Sequence, residues 1–430
     1  MVAVVQCDEE GDLMPAASAH YDVFSARGLY TGLSDGWTYL NAHAVPQISE
    51  RVTSGVARSF RMATAVATQE GPGGAHSAAP EPGRLAGDGN YAAARMAIAD
   101  LTGSKADRVV LGPSLPVLYQ SLARAARPLL GSNSSVVLSK LDPPTLYSAF
   151  SEVRADIRWA QPDLGTGELP GFQFAELVDG STRLVSFSAA HELLGTVSPA
   201  EEIIDTVRGR SRAWTLLDVS AIAPYRPIRF DELGADIVGI DIGLLGGPQM
   251  AALVFRDTRM LRRLDALNPI YSKEDGRKLE TPVSSGLAGG VGPLVDHLAA
   301  LAGGDKGSRR VRLNKSMTAL NAYLEDLRAD LYSFLSTLPA VHILGITGEA
   351  AAGASDNRLP RLTFAVQGVP AETVYKRLFD NGLVTTLAPQ TPLLTEMGVE
   401  EIGGAVTVAL GPFNTHYDIE HLVRVVASLA

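Results

Sequence analysis

The chain has 430 residues, of which 46% are hydrophobic and 20% charged, so a disordered or fibrous protein is excluded over most of its length. Lys+Arg of 37 against Asp+Glu of 47 gives a formal net charge of −10, a surface that repels nucleic acid and anionic membrane; Arg309-Arg310-Val311-Arg312 is the one short basic run. A single cysteine, Cys7, excludes an internal disulfide framework and a cysteine-rich zinc site, and points to a reducing compartment.

In chain order, residues 1–36 read as an N-terminal leader and arm, with 1–19 poorly ordered and Met14 a second candidate start. The first residues are too short an apolar run and too poor in basic residues for a secretory signal, and no uninterrupted apolar run of about 18 residues follows, so no membrane span is expected and the chain reads as cytoplasmic. Residues 37–301 alternate short β-branched runs with helical runs, the pattern of a helix-covered, mostly parallel sheet. Strands are expected over 108–111, 135–141, 156–161, 183–189, 214–220, 235–241 and 250–256. Their near-continuous apolarity predicts burial on both faces. Residues 70–90, rich in Gly, Pro and Ala, read as a long loop. Ser198-Pro199-Ala200-Glu201 predicts a helix start with Ser as cap and Glu closing a capping box. Residues 302–309 read as a hinge, and 302–430 as a smaller α+β domain. It is expected to hold a helix over 310–338, strands over 341–346, 362–366, 383–386 and 405–410, and a closing helix after Asn414-Thr415. The N-terminal segment is expected to pack on it.

Four stretches together resemble the class V aminotransferases, the pyridoxal-phosphate (PLP) group of fold type I that includes cysteine desulfurases, with the actinobacterial desulfurase-like branch as nearest kin. Tyr39-Leu-Asn-Ala-His-Ala-Val-Pro46 is similar to their opening segment. Leu184-Val-Ser-Phe-Ser-Ala-Ala-His-Glu-Leu-Leu-Gly195 resembles their strand and Ser-Asn-x-x-Gly turn. Leu217-Asp-Val-Ser-Ala-Ile-Ala-Pro-Tyr-Arg-Pro227, followed by Gly246-Gly-Pro248, resembles the strand bearing the pyridinium-binding Asp and the lysine strand after it. Val408 to Thr415 resembles the strand leading to Tyr-Asn-Thr. The resemblance implies a PLP-transferase-like large domain with a smaller C-terminal domain, and a homodimer, because family sites are built across a two-fold interface.

The resemblance also assigns chemistry to positions, and most depart from it. The Schiff-base lysine falls at Leu244, and no lysine occurs between Lys140 and Lys273. Leucine forms no imine and moves no proton. The phosphate turn falls on Gly112-Pro113-Ser114-Leu115-Pro116, where two prolines remove two N–H donors and Pro116 replaces a threonine. The ring-stacking His becomes Pro143, the Asn facing the ring hydroxyl becomes Glu192, the Gln/His after the pyridinium Asp becomes Ala221, and a serine near the lysine becomes Asp241. The partner-subunit phosphate loop reads Glu280-Thr281-Pro282-Val283, and the arginine that clamps a substrate carboxylate falls at Thr407. Asp218 keeps the family residue; its plainer reading is a strand-end turn cap or an ion pair with Arg226. A desulfurase cysteine is missing from this region, Cys7 lying far outside it.

These departures predict a homologue without PLP catalysis, non-catalytic or regulatory, with no cofactor and no catalytic residue. The alternative is PLP held noncovalently or through another lysine such as Lys140. A third reading takes Glu192, Asp218 and Asp241, with His191, as one acidic cleft for a cation or amine, unless Arg226 and Arg229 neutralise it. No metal site is expected. His43 and His76 read as polar loop residues, Gly71-Pro-Gly-Gly74 lacks the buried strand before it and the Gly-Lys-Ser/Thr after it that a phosphate loop needs, and Ser186 and Ser188 lack the nucleophile-elbow glycines.

Overall fold

Runs that are apolar at nearly every position can satisfy both faces only by lying between two layers of helices, and the large sheet does so. The computed structural model describes residues 21–71, 74–304 and 306–429, with side chains left undescribed over 69–78. The readings on residues 1–19, including Cys7, and on the His76 side chain lie outside the described residues. Strand β1 (Thr38–Tyr39) is followed by a hairpin of β2 (Val66–Gly71) and β3 (Gly74–Leu85). The large sheet then takes β4 (Val109–Gly112), β5 (Ser135–Ser139), β6 (Asp156–Ala160), β7 (Thr182–Ser188), β8 (Trp214–Asp218), β9 (Ile237–Asp241) and β10 (Ala251–Phe255) in the order β4-β10-β9-β8-β7-β5-β6. All its pairings are parallel except those of β10, which runs against β4 and β9.

Alternate residues of each strand enter different cores. Trp214 and Leu216 pack with Leu118, Tyr119 and Phe150 from the helices Leu115–Ala125 and Pro144–Ser151. Leu217 packs on the opposite face with Ile98, Ile203, Val207 and Leu294 from the helices Ala86–Thr102, Ala200–Arg210 and Val291–Ala300. Full burial of such a side chain stabilises the fold by roughly 1.5–3 kcal/mol relative to leaving it exposed.

The C-terminal part holds the 28-residue helix Arg309–Ser336 and a second, antiparallel sheet. Its strands are β11 (Val341–Ile343), β12 (Arg361–Val366), β13 (Leu383–Val384), β14 (Thr386–Leu387) and β15 (Val406–Ala409), with the order β11-β12-β15-β14 in the sheet proper. The helix His416–Ala427 closes the chain. The N-terminal segment packs here: β1 pairs in parallel with β13, Asn41 bridges to Ala409, and the Tyr21 hydroxyl donates to the Pro412 carbonyl at 2.6 Å.

Three local expectations are corrected. Residues 70–90 are not a loop: they form most of the β2–β3 hairpin and the start of a helix at Ala86. Backbone pairing needs no apolar periodicity, which is why the composition concealed it. No capping box forms at 198–201, because the Ser198 hydroxyl donates to the Ser188 carbonyl at 2.7 Å and leaves Pro199 as the cap residue. The strand expected over 383–386 divides in two, one half pairing with β1 and the other with β15.

Candidate functional site

The parallel strands of the large sheet end together at one edge, the place where open α/β sheets bind ligands, and Asp218, Asp241 and Leu244 there are only partly buried. Asp218 closes β8 and Asp241 closes the neighbouring β9, while Asp142 follows β5 and His191 and Glu192 follow β7. Each carboxylate is tied to a turn. Asp218 Oδ1 accepts from the Ser220 N–H at 2.9 Å and the Ser220 hydroxyl at 2.5 Å. Asp142 Oδ1 accepts the Ser188 N–H at 2.8 Å, and Asp241 Oδ1 accepts the Gly243 N–H at 2.8 Å. The Ser220 hydroxyl also accepts the Asp241 N–H at 2.8 Å, which joins the ends of β8 and β9.

Taking these groups out of water disfavours their charged forms. Burial pushes Asp142 up to about 8, against hydrogen bonds from Ser188 and with added repulsion from Asp218. Asp218 is pushed up to about 6 by burial, opposed by Ser220 and assisted by the charges of Asp241 and Glu192. Burial also raises Asp241. Glu192 opens to solvent; the protein around its carboxyl raises its pKa against the pull of Arg361. Among the described residues no lysine or arginine forms an ion pair with Asp142, Asp218, Asp241 or Glu192. Arg226 instead donates to the Arg358 carbonyl and lies 4.0 Å from Glu325, and Arg229 pairs with Glu232 at 3.1 Å. Of the two plainer readings of Asp218, the turn cap is therefore the one the structure builds. Beneath it sits Tyr119, 1% exposed, whose hydroxyl has no hydrogen-bond partner.

The small sheet supplies the facing wall. Arg361 opens β12 and is 3% exposed; its guanidinium donates to the Glu192 carbonyl at 2.7 Å and the Ala221 carbonyl at 3.2 Å, and lies 5.0 Å from the centre of the Tyr225 ring. Thr407 is fully buried, hydrogen-bonded at 2.8 Å to Thr363, whose hydroxyl donates to the Leu193 carbonyl at 3.1 Å. His43 and His191 are both held neutral, lowered to about 3 by burial and by the charge of Arg361. His191 Nδ1 accepts the N–H groups of Leu193 and Leu194, whereas neither ring nitrogen of His43 has a partner.

The description Aminotransferase class-V matches residues 71–242. An uncharacterized protein of Mycobacterium tuberculosis, MT3887, is 35% identical over 415 residues, covering 95% of this chain and 99% of the relative. The chain belongs to the class-V aminotransferase family. The aminotransferase-like protein FGM3 of Gibberella zeae is 24% identical, covering 74% of this chain and 77% of the relative. Among solved structures, the cysteine desulfurase CsdA of Escherichia coli superposes with a TM-score of 0.75 at 15% identity, over 95% of this chain and 98% of that one. The apo cysteine desulfurase of Thermococcus onnurineus gives the same TM-score at 15% identity, over 94% and 97%. The fold is thus that of the PLP-dependent transferases.

Within that family frame the remaining positions can be located. Leu244 lies half-buried in the 3-10 turn Gly243–Leu245, just past Asp241. Ser114 precedes the helix Leu115–Ala125 without a side-chain cap bond, and Pro116 occupies its first turn. Pro143 precedes the helix Pro144–Ser151. Ala221 contributes its carbonyl to Arg361. Glu280 faces inward, paired with Arg95 at 2.6 Å and accepting the Leu111 N–H at 3.0 Å, so it braces β4. The structure thus brings Asp218, Asp241 and Glu192 together, and it adds three residues that sequence reasoning missed: Asp142, Tyr119 and Arg361. Only Arg361 left a signal, as a lone cation opening the apolar run Arg361-Leu-Thr-Phe-Ala-Val366.

Proposed function

We propose that this protein is a class-V aminotransferase homologue without PLP-dependent catalysis, acting as a non-catalytic or regulatory cytoplasmic homodimer. The observation that carries this reading is the absence of an imine-forming amine at the strand-end cleft: Leu244 occupies the family's lysine position. Lys140, the lysine nearest the sheet's C-terminal edge, turns its ammonium onto the Trp159 ring, 4.1 Å from the centroid. Lys278 is buried elsewhere, donating to the Leu261 and Leu264 carbonyls. The rest of the pocket does not fit PLP either. A dianionic phosphate would meet Pro116 in place of an N–H donor, and each carboxyl of the group that is ionised would repel it by a few kcal/mol per charge pair at an effective dielectric near 20, with no paired cation to offset it.

Among the described residues no helix is long and apolar enough to cross a membrane. Purified protein mixed with PLP is expected to show no aldimine absorption band and to retain no cofactor after borohydride reduction. A stoichiometric reduced adduct would overturn the reading. The dimer is tested by light scattering across a dilution series, where a monomer mass at every concentration removes it.

A further inference from the structure

Asp142, Asp218 and Asp241 come from three different segments and share one shortage: none has a cationic partner among the described residues. Asp218 spends both of its hydrogen bonds on Oδ1, so Oδ2 has no donor. An independent feature points to the same spot. The Tyr119 hydroxyl is buried without a partner, and it stands 3.1 Å from where a Cβ on Gly239 would be, Gly239 being the residue beside Asp218 in the β8–β9 register. A buried hydroxyl with no partner costs roughly 1–3 kcal/mol unless something occupies its lone pairs or takes its proton. Leu244, half-buried next to Asp241, adds an apolar surface at the edge of this polar group.

We propose that the strand-end cleft binds a primary alkylammonium compound, its cationic head among Asp218, Asp241, Asp142 and the Tyr119 hydroxyl and its alkyl stem along Leu244. This rests on the preceding reading, that no lysine and no PLP occupy the space. An ammonium carries three N–H donors that can go to acceptors on separate segments. A metal ion demands a tighter set, and no three His, Cys, Asp or Glu side chains among the described residues are grouped to hold one. His191 cannot serve as a ligand through Nδ1, which already accepts two backbone N–H groups.

Ligand entry has a proton signature. The titratable and charged groups facing the cleft are Asp218 on β8, Asp241 on β9, Asp142 after β5, His191 and Glu192 after β7, His43 after β1, Tyr119 on its helix and Arg361 on β12. With Asp142 raised to about 8 and Asp218 to about 6, the empty cleft holds protons near neutrality. An alkylammonium stays protonated across that range, favours the ionised carboxylates and drives those protons out.

The test uses the full chain without PLP and n-butylammonium chloride as the probe, followed by isothermal titration calorimetry in two buffers of different ionisation enthalpy. Saturable one-to-one binding is expected, releasing protons near pH 7 and tightening as pH rises toward 8.5. Asp218→Asn and Asp241→Asn should each weaken it by about ten-fold or more. Both amides keep the oxygen that accepts from Ser220 or Gly243, so the turns survive. Leu244→Lys should abolish binding by supplying an ammonium from the chain itself. Neutral n-butanol should give no saturable heat. Failure of n-butylammonium to bind wild type, equal affinity in every variant, or binding of magnesium chloride that Asp241→Asn removes while n-butylammonium stays silent would each overturn the proposal. Adding PLP in a parallel cell separates the two readings: an adduct removes the premise of an empty cleft, whereas no adduct and no amine binding removes only the ligand.

Discussion

The two walls of the strand-end cleft answer their departures from the family pattern in opposite ways. On the small-sheet wall the arginine position is taken by Thr407, and its hydroxyl closes onto Thr363 and through it onto Leu193. Arg361, two residues along β12 from Thr363, ties the turns at Glu192 and Ala221 to the sheet. That wall is filled by side chains that bond to one another, although Arg361 Nε and both His43 ring nitrogens keep no partner. The large-sheet wall keeps its carboxylates, adds Asp241 and Glu192 to Asp218, and supplies no cation. Neutral replacements can repack around one another, but a carboxylate carries its desolvation cost wherever it stays.

The sharpest break of this contrast is removal of Arg361. Arg361→Leu strands two carbonyls and uncovers the Tyr225 ring, and an expected loss of about 3 kcal/mol in urea unfolding follows from the charged hydrogen bonds removed. A loss under about 1 kcal/mol would mean that the wall does not depend on it. Next in size is a pH effect on the opposite wall. Asp142 is raised from 3.8 to about 8, so the folded state binds its proton more tightly than the unfolded chain does. Its contribution is complete at acidic pH and is lost as pH rises toward about 8. Asp142→Asn should therefore flatten the fall in stability across that window, by on the order of 2 kcal/mol at its alkaline end. His43 and His191 act with the other sign. Lowered from 6.5 to about 3, they withdraw stability as pH falls through that interval; two histidines outweigh one Asp142 where the windows overlap, so the optimum from these three groups should lie near 6.5, where the histidine limb ends. A stability profile that rises steadily to pH 9 would contradict the Asp142 assignment.

Smaller effects sharpen the comparison. Thr407→Val keeps the shape and removes one hydroxyl, leaving Thr363 its bond to Leu193, and should cost about 1 kcal/mol or less. Smallest of all, Pro116→Thr should change the melting free energy by no more than about 0.5 kcal/mol, because proline is well tolerated in a first helical turn.

What could be read in advance followed the physics of each level. Most strands of the large sheet were legible because apolar runs buried on both faces leave a one-dimensional trace, as in Trp214 to Asp218 or Ala251 to Phe255, whereas the edge strand β6 is partly exposed and carries no such run. Asp218, Asp241 and Glu192 were legible as a group because strand ends in a parallel sheet converge. Asp142 and Tyr119 were not: one sits after β5 beside a proline and the other inside a helical run, and only the packing of that helix places its hydroxyl over Gly239, the residue paired with Asp218 in the sheet. The 70–90 region misled for a related reason, since a hairpin with few apolar side chains leaves no periodicity to read. Ser198 kept its hydroxyl for a carbonyl ten residues back in the chain, a choice that local motif rules do not contain.

The pairing of β1 with β13 has a consequence for how the molecule is made. Tyr21 and Pro412, which share a hydrogen bond, are 391 positions apart, so the N-terminal segment emerges from the ribosome long before its partners exist. The strand Thr38–Tyr39 has to wait with an open edge while the large sheet assembles, and the last third of the chain must arrive before that edge is covered. Ribosome-bound chains halted before Leu383 should therefore present Thr38–Tyr39 to chaperones, and release of the remaining segment should end that dependence.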